Sequence, residues 1–330
     1  MVTSLRRWVS EKCTQPMFVR LTELVARGIN RYNHQQTAHR IFSEQGFHLL
    51  SKQDYYLPIP QEEDLGDAFW EKRSEMVGVD LNEGCALGLL NDVFPAYVGE
   101  FRETFPLHQS GDSTAFYLIN GSFMAIDAQV YYSFIRHFRP KRIVEIGSGR
   151  STQVAAAACL RNAKELGEAP HLTAIEPFPA PLLEAGLPGL SELIVDKVQN
   201  VDLNLFTSLE AGDILFIDST HALREGGDVQ MEYCEILPRL ADGVIVHIHD
   251  ISLPKAYPRT YFENSHHYWN EQYLLQAFLA FNSRFEVIWP GNYMMLKHPE
   301  RVCEVFPEYH TMRETFPQSE PSSFWMRVRS

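Results

Sequence analysis

From residue 142 to residue 250 the chain alternates short β-branched or apolar runs with stretches of helical periodicity, and this alternation restricts the fold more than any other feature. The run Arg142-Ile143-Val144-Glu145-Ile146 is followed by glycines and an alanine-rich segment, 152–166, that reads as helix. Further strands are expected at 171–176, 193–195, 213–218 and 243–250, with a helix at 231–240 before the last of them. Strands separated by helices predict a parallel sheet covered on both faces. Two later runs, 285–289 and 323–328, complete the sheet, and 269–282 reads as a helix with Tyr273, Leu274, Ala277, Phe278 and Phe281 on its inner stripe. Upstream, Phe18, Leu21, Leu24, Val25 and Ile29 recur at helical spacing within 16–45, and a helix at 124–138 leads into the first strand. The expected architecture is therefore α/β, a doubly wound, mostly parallel sheet preceded by a mainly helical region. The division is placed at the Gly111-Asp112-Ser113 turn, giving regions 1–114 and 115–330.

The net charge of −13 argues against a nucleic-acid partner. A basic stretch within residues 1–40 lacks closely spaced aromatics and reads as a solvated helical face. No run approaches the roughly 20 apolar residues that span a bilayer, and Arg6-Arg7 is not followed by an apolar core of a leader, so a cytoplasmic protein without a membrane partner is expected. The five cysteines are scattered without a CxxC pair, which fits free thiols rather than a zinc or dithiol site. A homo-oligomer is an open expectation.

The sharpest local motif is Glu145-Ile146-Gly147-Ser148-Gly149-Arg150-Ser151-Thr152. It follows a strand, opens a helix, and lets backbone approach a ligand closely. An acidic residue stands two positions before the first glycine, and Thr152 occupies the place of the third glycine of a dinucleotide fingerprint. The combination favours the amino-acid end of S-adenosylmethionine over a pyrophosphate. Glu176, at the end of the second strand, is the candidate acceptor for two ribose hydroxyls.

The fourth and fifth strands end in Asp218 and in His249-Asp250, with His221 just beyond the former. In a doubly wound sheet these neighbouring ends face the reacting end of a ligand. Carboxylate and imidazole there suit a general base or a divalent metal. His247 shares a strand face with His249 and lies deeper, as a core histidine. His249 is the first candidate for base and His221 the second.

These motifs, together with Tyr55-Tyr56-Leu57-Pro58-Ile59-Pro60 and Trp269-Asn270-Glu271-Gln272-Tyr273, resemble class I S-adenosylmethionine-dependent methyltransferases, in particular a bacterial group found near sugar and natural-product biosynthesis genes. The resemblance covers nearly the whole chain. It implies a seven-stranded sheet whose last strand, 323–328, runs antiparallel, with the N-terminal region as a helical cap. It implies cofactor contacts from Glu145, Gly147, Ser148, Gly149, Ser151, Glu176 and Asp218, a magnesium site at Asp218 and Asp250, and a small-molecule acceptor met by Tyr55, Tyr56 and Glu271. The expected reaction is methylation of a hydroxyl oxygen. A nicotinamide oxidoreductase on the same sheet and a non-catalytic partner subunit stay open as alternatives. No GxSxG elbow supports a hydrolase.

Overall fold

A computed structural model describes residues 15–32, 35–50, 58–111 and 114–329. The chain forms two compact units, Met1–Leu65 and Gly66–Ser330. In the first, the helix expected over 16–45 is two helices, Gln15–Tyr32 and Gln35–Glu44. Its anticipated apolar stripe is largely exposed at Phe18, Leu21 and Leu24.

The second unit is built on a seven-stranded sheet in the order β3-β2-β1-β4-β5-β7-β6. The strands are β1 Arg142–Ile146, β2 His171–Ile175, β3 Glu192–Ile194, β4 Ile214–Ile217, β5 Ile245–Ile248, β6 Phe285–Pro290 and β7 Phe324–Val328. The first five run parallel. β7 inserts between β5 and β6 and is antiparallel to both. Each of the seven expected strands is present, and the sheet has the antiparallel last strand that the resemblance implied.

Burial on both faces explains the near-continuous apolar character of β4 and β5. Successive side chains alternate between faces. Ile214 and Phe216 join one apolar cluster, with helices Asp127–Phe138 and Arg150–Leu166, while Leu215 and Ile217 join the other, with Tyr233, Ile236 and Leu275. The helix that leads into β1 lies at residues 127–138 rather than 124–138.

The boundary expected near residue 114 falls inside the second unit. Helix Phe94–Thr104 buries Phe94 and Phe101 completely. The Phe94 ring sits 5.4 Å from Phe134 and 4.8 Å from Trp289. Glu100 binds Arg136 Nε at 2.6 Å, and the same guanidinium reaches Glu165 at 2.6 Å, so one buried arginine joins three helices. Of the expected turn, the described residue Gly111 is an exposed bend within the second unit.

The segment expected as one helix at 231–240 is a helical turn Asp228–Met231, a π-type turn Glu232–Ile236 and a tight turn Leu237–Arg239. Pro238 lacks the amide hydrogen that a continued helix needs. Three short helices, Gly291–Lys297, Pro299–Val305 and Glu308–Thr315, fill the connection from β6 to β7. They were not anticipated, because their buried apolar anchors, Met294, Met295, Val302 and Met312, with Phe306 just past the second helix, are few and widely spaced.

The turn after β1 fixes the carboxyl edge of the sheet. Gly147 has φ +85, and a Cβ there would lie 2.0 Å from the carbonyl oxygen of Asp218 at the end of β4. The amide of Asp218 also donates to Ile146 O at 2.9 Å. Both the positive φ and the overlap exclude a side chain. Gly147→Ala is expected to lower unfolding free energy by about 2–4 kcal/mol, the sum of backbone strain and overpacking. Urea denaturation measures it, and a loss below about 0.5 kcal/mol, the range of neutral surface changes, would contradict this packing.

Candidate active site

At the carboxyl end of the parallel strands a cleft of about 680 Å³ runs between the glycine loop and the ends of β4 and β5. Ser148, Gly149 and Ser151 line one end, and Asp218, His249 and Asp250 line the other, with Phe123 and Tyr261 among the walls. The strand order places β1 and β4 side by side, where the chain's winding reverses, and this is where open α/β sheets hold their ligands.

Glu145 does not open on the cleft. Its side chain is fully buried, accepting a hydrogen bond from Tyr131 Oη at 2.9 Å. Burial lifts its pKa to about 7, against the hydrogen bonds from Thr152 and Tyr131 that oppose the rise. Thr152, also buried, accepts the Gly149 amide at 3.0 Å, so the residue standing in the third glycine's place braces the loop from beneath. Glu176 follows β2. Its two carboxylate oxygens accept the amides of Ser148 at 3.2 Å and Phe178 at 2.9 Å. It therefore braces the glycine loop, and it is not among the residues lining the cleft, where it was expected to meet ribose hydroxyls.

The ends of β4 and β5 bring two imidazoles among four carboxylates. His221 Nδ1 lies 2.8 Å from Glu271 Oε2, while its Nε2 lies 3.3 Å from Asp218 Oδ1 and 3.5 Å from Asp250 Oδ2. His249 Nε2 lies 3.5 Å from Asp127 Oδ2, and its Nδ1 lies 3.5 Å from Asp218 Oδ1. Burial disfavours charge on both rings. The hydrogen bonds and charges of Asp218, Glu271 and Asp250 outweigh it for His221, and the charges of Asp218 and Asp250 with the nearby Asp127 carboxylate outweigh it for His249, holding both pKa values well above the ordinary 6.5. Burial likewise pushes Asp218 up, but the two histidines overcome it and hold the carboxyl well below the usual range. His247 is a core histidine as expected. It bonds Ser323 Oγ at 2.9 Å, and burial together with the charge on His249 lowers its pKa.

Glu271 corrects the sequence reading. It was expected at an acceptor, yet its side chain is fully buried at the start of helix Glu271–Leu279, bonded to His221 and not among the residues lining the cleft. The buried stripe of that helix is Glu271, Gln272, Leu275 and Leu279, whereas Tyr273 is exposed and Phe281 is 86 % exposed beyond the helix end. Hydrogen-bond demand, not hydropathy, sets this register. Gln272 Oε1 accepts the Ser252 amide at 3.0 Å, and Gln272 Nε2 donates to Lys255 O at 3.1 Å. Tyr55 and Tyr56 lie outside the described residues.

Three residues were missed. Asp127 looks in sequence like any acidic helix-start residue, and only the fold brings it to His249. Tyr261 comes from the five-residue helix Arg259–Glu263 and Phe123 from an irregular segment, both too short for a periodic signal, and Phe123 sits 5.2 Å from the His249 ring. Asp218, His221 and Asp250 each offer a ligand atom, all within 4.8 Å of one another, a donor set that fits a divalent cation.

Comparison with known proteins agrees with this geometry. A family described as a methyltransferase domain matches residues 144–251. An uncharacterized protein of Archaeoglobus fulgidus is 36% identical over 165 residues, covering 47% of this chain and 72% of that one. The family match spans the segment from β1 to just past β5, so this part of the chain is similar to methyltransferase domains. Among solved structures, an SAH-bound methyltransferase of Podospora anserina is 16% identical, covers 76% of this chain and 95% of that one, and superposes with TM-score 0.36. An O-methyltransferase of Bacillus cereus in complex with SAH is 12% identical, with coverages of 77% and 98% and TM-score 0.33. At those scores the structural likeness carries no assignment, and the similarity to methyltransferases rests on residues 144–251.

The buried Glu145 makes stability depend on pH. Its folded-state pKa, about 7, lies above the ordinary 4.5, so the folded protein binds more protons than the unfolded chain between these values. Stability from this group is thus full below pH 4.5 and falls as pH rises through about 7. Glu145→Gln keeps an acceptor for Tyr131 and removes the titration. Relative to wild type, the variant is expected to gain stability across that window and level off at a gain of about 3 kcal/mol. Denaturant titrations at several pH values measure the difference, and a pH-independent difference would show that Glu145 ionises normally.

Proposed function

We propose that the protein transfers the methyl group of S-adenosylmethionine to a hydroxyl oxygen of a small-molecule acceptor. The observation that carries this is the single cleft joining the glycine loop to Asp218, His249 and Asp250. Ser148 and Ser151 line the cleft and bring hydroxyls toward the amino-acid end of the cofactor, while the amides of Gly147, Ser148 and Gly149 are already bonded to Ile175, Glu176 and Thr152 and hold the loop in shape. Glu176, already oriented by two loop amides, keeps lone pairs for ribose hydroxyls. The sulfonium supplies an activated methyl group, so the chain's own tasks are alignment and removal of the acceptor proton.

His249 is the base of this reading, because it is among the residues lining the cleft and His221 is not. Surrounded by carboxylates, the ring is protonated at neutral pH and takes up its proton-accepting form on the alkaline side. Asp218 and Asp250 are the carboxylates placed to hold a divalent ion, the magnesium of the sequence reading, which would lower the pKa of a bound hydroxyl. The negative charge of the chain and the confined cleft both favour a small acceptor over nucleic acid.

Calorimetry with S-adenosylmethionine tests the assignment. Wild type is expected to bind in the micromolar range, and Glu176→Ala to lose most of that affinity. A folded wild type that binds no cofactor would overturn the reading. With an acceptor in hand, kcat is expected to climb as pH rises above the ordinary histidine range, and His249→Ala to lower it by about 10²–10⁴-fold while flattening that alkaline limb. An unchanged pH profile in the variant would remove His249 from the base role.

A further inference from the structure

We propose that His221 is a metal ligand alongside Asp218 and Asp250, oriented by the buried carboxylate of Glu271, and that this mixed site prefers a transition-metal ion of the manganese class over magnesium. The inference deepens the methyltransferase reading and rests on it only for the location of the reacting end.

The geometry begins at Glu271. A fully buried carboxylate has one strong partner here, His221 Nδ1 at 2.8 Å. That hydrogen bond places the ring proton on Nδ1 and turns Nε2 toward Asp218 and Asp250. A carboxylate behind a histidine is the arrangement that fixes the tautomer and orientation of a metal-ligating imidazole. The backbone reinforces it. The amides of Asn270 and Glu271 donate to His221 O at 3.0 and 3.2 Å, and the Leu223 amide donates to Asn270 Oδ1 at 2.6 Å. The loop carrying His221 is thus stapled to the start of the helix carrying Glu271.

A second observation points to an occupant. His249 is 5% exposed and lines the cleft, and its Nδ1 has no hydrogen-bond partner although Asp218 Oδ1 lies 3.5 Å away. The same atom lies 3.8 Å from Asp250 Oδ1, so this unpartnered nitrogen stands beside two of the three candidate ligands. The rival occupant of the space is a proton on His221 Nε2, shared between Asp218 and Asp250 as a plain ion pair. The two differ in metal chemistry. Magnesium favours an all-oxygen octahedron and keeps its waters, whereas an imidazole nitrogen raises affinity along the transition series.

Calorimetric titration of the purified full chain with manganese(II) and with magnesium(II), for wild type, His221→Ala and Glu271→Gln, separates these. Wild type is expected to bind manganese more tightly than magnesium. His221→Ala is expected to erase that preference, and Glu271→Gln to weaken manganese by about 10–100-fold with little effect on magnesium. Pulsed electron paramagnetic resonance of the manganese form is expected to show nitrogen coupling that disappears in His221→Ala. Equal affinity for the two ions, no binding of either, or nitrogen coupling that survives in His221→Ala would overturn the proposal. If His221→Ala does not fold, Glu271→Gln carries the test alone, and unchanged manganese affinity there overturns it. Titration of the same samples with S-adenosylmethionine keeps the two readings apart. Cofactor binding without metal binding removes only this inference, and metal binding without cofactor binding removes only the methyltransferase assignment.

Discussion

The carboxylate of Asp127 ties together three pieces of backbone that are distant in sequence. It stands at the first turn of helix Asp127–Phe138, where its charge complements the helix dipole. Its oxygens accept the amides of Ser322 at 2.9 Å and Ser323 at 3.1 Å, just before β7. The same carboxylate faces His249 at 3.5 Å, at the end of β5. The antiparallel strand, the first helix of the sheet and the imidazole at the cleft therefore share one anchor. Because those amides are held at the carboxyl edge, β7 can insert between β5 and β6 and place Trp325 and Met326 in the core. Removing the carboxylate would strand two backbone donors as well as a charged ring, so structure and chemistry are not separable at this position.

Around that anchor, charge is organised by depth. His247 sits deepest on β5 and is neutral, bonded to Ser323, and two residues on, His249 meets the carboxylates and is charged. Farther from the cleft, burial together with the charges of Glu271 and Asp228 pushes Glu232 well above the usual carboxylate range, so it stays protonated beside Ser219. One polar network thus holds neutral acid, imidazolium and carboxylate within a short distance, each state set by its neighbours rather than by residue type.

The sheet was legible because strands buried on both faces write themselves as apolar runs, and the glycine loop was legible because backbone geometry forces residue type there. Asp218, His249 and Asp250 were legible as strand-end residues, since parallel topology sends all such ends to one edge. What lay beyond the sequence has a common physical origin. Glu271 and Gln272 face inward because hydrogen-bond partners wait for them, and hydropathy patterning assigns such residues outward. The boundary near 114 was misplaced because Phe94 and Phe101 sit in a segment without clean periodicity, while their partners Phe134, Trp289 and Tyr132 lie far along the chain. Asp127 carried no local mark at all.

The contact between Gly147 and the Asp218 carbonyl has a consequence for how the two ends of the cleft respond to each other. With no room for even a methyl group between them, the loop that follows β1 and the tip of β4 cannot shift independently. A ligand that displaces the glycine loop must also move the Asp218 carboxylate, and an occupant gripping Asp218 must bias the loop. Linkage makes that influence mutual and equal in free energy. Cofactor and metal affinity would then form one thermodynamic cycle, with the absent side chain of residue 147 as the mechanical joint between its halves.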